Sequence, residues 1–164
     1  MKTTMFLAFA VFAAAQANPQ QLARQVMQQL ESLPNHGVFD NLNYTVDGAK
    51  VTLFGQVNSP ALKSSAEKVV EHIAGVAIVD NKLQVPPGDL VDDDIRAGVY
   101  RALFTTLMPS PDSAIHIVVA NQNVTLVGKV GTQGDKNLAG ILAHGVPLVY
   151  MVTNDLLVDP PSQS

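Results

Sequence analysis

Four histidines, His36, His72, His116 and His144, are the residues of this chain best suited to move a proton or hold a metal. A helical metal site needs His-x-x-x-His or Glu-x-x-His spacing, and neither occurs. The pattern places His72 and His144 at the ends of helices, where imidazole complements the helix dipole, and His116 on the outer face of a strand. No cysteine is present, which removes disulfides, thiolate ligands and thiol nucleophiles together. Asp92-Asp93-Asp94 is a dense acidic run, but three acids opening a helix suit its positive end, whereas a hard cation needs oxygens converging from several directions. Asp135 and Glu71 read as ordinary helix-end and helix-surface acids. No glycine-rich phosphate loop precedes a helix, and Gly-x-Ser-x-Gly is absent. The expectation is a non-enzyme with no catalytic residue, no metal site and no cofactor.

The elements that would carry any site begin after a leader. Lys2 precedes an apolar run from Met5 to Ala15, and Ala15-Gln16-Ala17 offers small residues to a signal peptidase. That run is short of the roughly 20 apolar residues a membrane span requires. Residues 1–17 are therefore expected to be a signal peptide cleaved after Ala17. Without a cysteine after the leader the product is not a lipoprotein, and no later segment is long and apolar enough to span. Losing Lys2 takes the formal net charge from −4 to −5. An acidic chain argues against a nucleic-acid partner, since phosphate recognition needs clustered lysine and arginine.

The remainder repeats itself. Val51-Thr52-Leu53-Phe54-Gly55-Gln56-Val57 returns as Val124-Thr125-Leu126-Val127-Gly128-Lys129-Val130, 73 positions later. The same shift carries Leu22, Val26 and Leu30 onto Ile95, Val99 and Leu103, and Val79, Asn81, Leu83 and Val85 onto Val152, Asn154, Leu156 and Val158. An unbroken register through helical and alternating periods signals duplication. Each copy reads as helix, strand, strand, helix, strand. Asn18-Pro19 caps a first helix with Leu22, Val26, Leu30 and Leu33 on one stripe, and Asp92-Asp93-Asp94 opens its counterpart. Leu42, Tyr44 and Val46 alternate into a turn at Asp47-Gly48, and the chain returns through Val51 to Val57. Asn121-Gln122-Asn123 serves the same corner in the second copy. Pro60 opens a second helix with Leu62, Ala66, Val69, Val70 and Ile73 inward; Leu138, Ala139, Ile141 and Leu142 mark its equivalent. Final strands are expected over Val76 to Val85 and Leu148 to Val158. The mid-strand glycines Gly55 and Gly128 are expected to admit a closely packed helix, a bulge or a ligand.

The fold class is thus α+β: two tandem α-β-β-α-β modules, each a small three-stranded mixed sheet with two helices on one face. The strand-helix-strand connection makes the last two strands of each sheet parallel. The expected organisation is module 1 over 18–85, a linker over 86–93, module 2 over 94–160 and a tail over 161–164. Pro86-Pro87-Gly88 makes the linker short and stiff, so the copies should touch.

Val-Thr-Leu-Phe-Gly-Gln-Val, then Ser59-Pro60-Ala61 and a helix, then Gly75-Val76 and Val79-Asp80-Asn81-Lys82-Leu83, resembles a BON domain. The second copy shares the motif but has Pro147-Leu148-Val149 where a Gly-Val pair is usual. The resemblance implies a periplasmic or envelope protein, exported or secreted, linked to phospholipid membranes, envelope integrity and stress response. It brings no catalytic residues.

The copies differ in surface. Tyr100, Phe104, Leu107 and Met108 form a second apolar stripe on the first helix of the second copy, bordered by Arg101; the first copy has Met27, Glu31, Pro34 and Asn35 there. This stripe either packs between the modules or meets a partner, which would be a phospholipid surface or an envelope protein.

Overall fold

The computed structural model describes residues 18–107 and 114–158; the expected leader, the tail and Met108 lie outside them. Helix α1 (Pro19–Glu31) starts where the Asn18 side chain accepts from the Gln20 N–H, with Pro19 in its first turn. Its Leu22, Val26 and Leu30 are buried at successive turns. Strands β1 (Asn41–Asp47) and β2 (Lys50–Gln56) form an antiparallel hairpin, with Gly48 at φ 56° in the turn. Helix α2 (Pro60–Glu71) is capped by Ser59, and β3 (Ile78–Asn81) returns parallel to β2.

The second module repeats this order: α3 (Leu90–Thr106), β4 (Ile115–Ala120), β5 (Asn123–Val130), α4 (Gln133–His144) and β6 (Met151–Val158). The sheet orders are β1-β2-β3 and β4-β5-β6. Pairing obeys the same displacement as the sequence: Leu42 faces Gly55 and Tyr44 faces Leu53, while Ile115 faces Gly128 and Ile117 faces Leu126. Each module encloses its own apolar core between sheet and helices, around Val26, Leu53 and Val70 in the first and Val99, Leu126 and Ala143 in the second.

One duplicated polar device ties each last strand to its second helix. Asn81 donates to the Lys63 carbonyl (3.0 Å) and accepts from the Leu83 N–H; Asn154 donates to the Lys136 carbonyl (2.7 Å) and accepts from the Leu156 N–H. Replacing Asn154 by leucine strands a partly buried carbonyl. Urea unfolding should show a loss of about 1–2 kcal/mol.

Four local expectations change. Helix α3 begins at Leu90, not in the aspartate run, because the Asp89 side chain accepts from the Val91 N–H. Asp92, buried inside that first turn, accepts from the Asn121 and Gln122 N–H groups and so fastens the helix to the β4–β5 turn. The final strands are shorter than their apolar patterns suggest, β3 most of all, although Gln84 still bridges to Gln56. Gly55 and Gly128 make room for a neighbouring strand rather than for a helix. They sit at φ 113° and 120°, and a Cβ would run into the carbonyl oxygen of Asn41 or Ala114.

Candidate functional site

The apolar stripe of α3 has a partner inside the chain. Residues 36–40, the loop between α1 and β1, reach across to the second module. The Ile117 N–H donates to the Val38 carbonyl (2.7 Å), which adds the loop to the edge of β4. Val38 and Phe39 pack against the second module's core. Phe39 meets Tyr100 edge-on at 6.0 Å between ring centroids, and Tyr100 stacks on Phe104 at 4.5 Å.

Asp40 shapes this loop. It is 3% exposed, and its carboxylate accepts from the Gly37 N–H (2.9 Å) and the Asn58 N–H (2.7 Å). Those two charge-assisted bonds hold the loop in a hairpin against β2 and project Phe39 outward. On the opposite side Arg96, also buried, donates to the Val119 carbonyl (2.9 Å) and pairs with Asp93.

The sequence-derived residues therefore divide. Tyr100 and Phe104 lie in or beside the seam between modules, with Tyr100 still partly open to solvent. Leu107 packs on the second core, and Arg101 is exposed with its Nε donating to the Ala97 carbonyl. Met108 lies outside the described residues. The histidines do not converge on a metal site: among the described residues no group of three or more His, Cys, Asp or Glu could hold one. His72 and His144 are exposed at the ends of α2 and α4. His116 is on the outer face of β4, but module 1 covers that face, and the ring stacks on His36 at 5.9 Å. Burial is the main reason that His116 titrates below the ordinary imidazole range. A cleft of about 600 Å³ runs beside this pair, with Glu31, Tyr44, Lys129 and Asp155 among its walls.

A second surface escapes the sequence reading. Leu90, Leu148, Tyr150 and Met151 are 83%, 61%, 79% and 52% exposed. Hydrogen bonds gather them at one end of module 2. Asp92, in the first turn with Leu90, holds the β4–β5 turn, and the Gln122 carbonyl of that turn accepts from the Tyr150 N–H (2.9 Å). In module 1 the matching Ala77 N–H donates to the Ala49 carbonyl, so the backbone is alike and the side chains are not. Leu148 stands where module 1 has Gly75. Both have positive φ, 70° and 99°, a conformation that glycine adopts freely and leucine adopts at a cost. Tyr150 stands where module 1 has Ala77. The available signal is the replacement of Gly-Val-Ala by Leu148-Val149-Tyr150.

Charge separates the two modules as well. On module 1, Lys50 and Lys82 both reach Asp80 at 3.2 Å and hold its carboxyl below the usual range. The end of module 2 carries no cation in residues 145–151, and exposed Asp89, Asp93 and Asp94 lie beside it. Among the described residues no helix is long and apolar enough to cross a membrane.

No curated protein matches this sequence. Among solved structures, the C-terminal domain of CdsD, the structural protein of the type III secretion system of Chlamydia trachomatis, matches at 10% identity and a TM-score of 0.34, over 85% of this chain and 98% of that one. A second CdsD structure from the same organism matches at 13% identity and a TM-score of 0.33, over 86% and 93%. The BON domain matches twice, over residues 18–87 and 91–160, one match for each α-β-β-α-β unit. The chain belongs to the BON-domain family and carries two copies of that domain in tandem.

Proposed function

We propose that this protein is an exported, non-enzymatic binding module that associates peripherally with phospholipid membrane and serves envelope maintenance or stress response. The observation that carries the reading is the apolar end of module 2. Leu148 occupies a left-handed backbone position, costing on the order of 1 kcal/mol, and still leaves its side chain in water. A position under selection for stability alone favours glycine, as in module 1. With Tyr150 and Met151 beside it, the end combines aliphatic area with an amphipathic aromatic ring, which suits the boundary between headgroups and acyl chains. The neighbouring aspartates and the acidic chain support apolar insertion over attraction to anionic headgroups in this reading. Under this proposal the stripe at Tyr100 and Phe104 serves the seam instead.

The purified exported protein should co-sediment with phosphatidylcholine vesicles, with little loss as salt rises. Leu148→Gly combined with Tyr150→Ser should reduce the bound fraction several-fold, while stability stays equal to or above that of the parent because the strained residue is gone. Absence of binding to neutral or anionic vesicles at low salt contradicts the lipid reading. The second reading is a protein–protein adaptor in an envelope or secretion complex. The eight-residue edge strand β6 favours it, since a parallel edge of that length can accept an added strand. A defined envelope protein retained in detergent, without vesicle binding, selects the adaptor.

A further inference from the structure

The seam contains two titratable rings that the proposed membrane contact does not use. His36 comes from module 1 and His116 from module 2; their rings stack at 5.9 Å with 23° between planes. His116 Nδ1 donates to the Gly37 carbonyl at 3.3 Å, within one residue of the strand-like bond from Ile117 to Val38. The Nε2 of His36 is buried and has no hydrogen-bond partner.

We propose that the seam is a pH-sensitive latch, closed while His116 is neutral against His36 and Gly37 and loosened when acid protonates His116, so that the two modules swing apart without unfolding. The charged groups around the pair come from every neighbouring element. Asp40 in the same loop favours protonation, but both its oxygens are committed to Gly37 and Asn58. Glu31 of α1, Lys129 of β5 and Asp155 of β6 line the adjoining cleft. Burial and the facing His36 outweigh the Gly37 bond and Asp40, so the docked state binds a proton less readily than the undocked state. The contribution of His116 to docking is therefore complete above the ordinary imidazole value near 6.5 and is lost as pH falls below it, by up to about tenfold per pH unit for this one proton. Opening would uncover Phe39, Tyr100 and Phe104, making apolar exposure responsive to acid.

The absence of cysteine allows two to be introduced, at exposed Gln25 and Asn137, for a fluorescence energy-transfer pair spanning the modules. Transfer should be constant from pH 8 to 7, fall reversibly between 6.5 and 5, and leave far-ultraviolet dichroism unchanged. A variant with both His36→Phe and His116→Phe should hold its pH 8 value down to pH 5. Should that variant dock poorly, His116→Gln keeps a donor toward Gly37 and should flatten most of the response. Unchanged transfer in the parent, the same fall in the variants, or an NMR titration of His116 with a midpoint at or above 6.5 overturns the latch.

Discussion

Gly55→Ala and Gly128→Ala are each expected to cost on the order of 3 kcal/mol or more, enough to leave the affected module largely unfolded. Two penalties coincide at each site. The backbone has φ above 110°, outside the region open to an L-residue, and the added methyl would overlap a backbone carbonyl oxygen, that of Asn41 at the start of β1 or that of Ala114 just before β4. At Gly128 that carbonyl, of Ala114, also accepts from the Lys129 N–H (2.9 Å), so relief of the clash sacrifices a hydrogen bond. Gly37→Ala supplies the internal contrast: nothing lies within 4 Å of its Cβ position, and the change should be nearly neutral. Chemical denaturation monitored by circular dichroism ranks the three. A small effect at Gly128 would mean that the strand relaxes there, contrary to the close approach described.

Phe39→Ala should produce the second largest effect, and of a different kind. A fully buried phenylalanine loses about 3–5 kcal/mol on truncation; Phe39 is partly open, so about 2 kcal/mol is expected. The loss falls on docking rather than on either core, because Phe39 projects from module 1 into the second module's cluster and against Tyr100. Two modules with separate cores joined by a short linker should then unfold in two steps instead of one, with module 2 gaining exposed aromatic surface. Differential scanning calorimetry should resolve two transitions in Phe39→Ala where the parent has one. A single, merely lowered transition would place Phe39 in an ordinary core role and deny the seam its coupling function.

How far these features can be read without coordinates depends on their periodicity. The tandem α+β fold is legible because Leu22, Val26 and Leu30 recur at helical spacing, Leu42, Tyr44 and Val46 at strand spacing, and all recur 73 residues later. Apolar burial imposes those periods, and duplication doubles the signal. The start of α3 is not legible, because Asp92 looks like a terminal acid in sequence; its carboxylate turns inward to serve another turn, a tertiary contact that carries no local mark. The glycines announce themselves by position, yet their cause, the backbone oxygen of Asn41 or Ala114 pressed against them, is invisible in one dimension. The seam is hidden for a related reason. Val38-Phe39 sits in a loop with no repeating pattern, and its partners Ile117 and Tyr100 lie more than 60 residues away. Two adjacent apolar residues in an otherwise polar turn are the available hint. The stripe on α3 is legible as an asymmetry, whereas the end at Leu148 and Tyr150 shows in sequence only as a departure from the family pattern, with no sign of its exposure.

That exposed end is where the functional proposal is most open to direct measurement. The chain contains no tryptophan, so Tyr150→Trp creates a single reporter at the surface proposed to enter the bilayer, and Ala77→Trp places the same reporter at the matching position of module 1. Adding phosphatidylcholine vesicles should shift the emission of the first protein to the blue and protect it from aqueous quencher, while the second stays unchanged. Unshifted emission from the Tyr150→Trp protein, or equal shifts in both proteins, would contradict membrane association through the end of module 2.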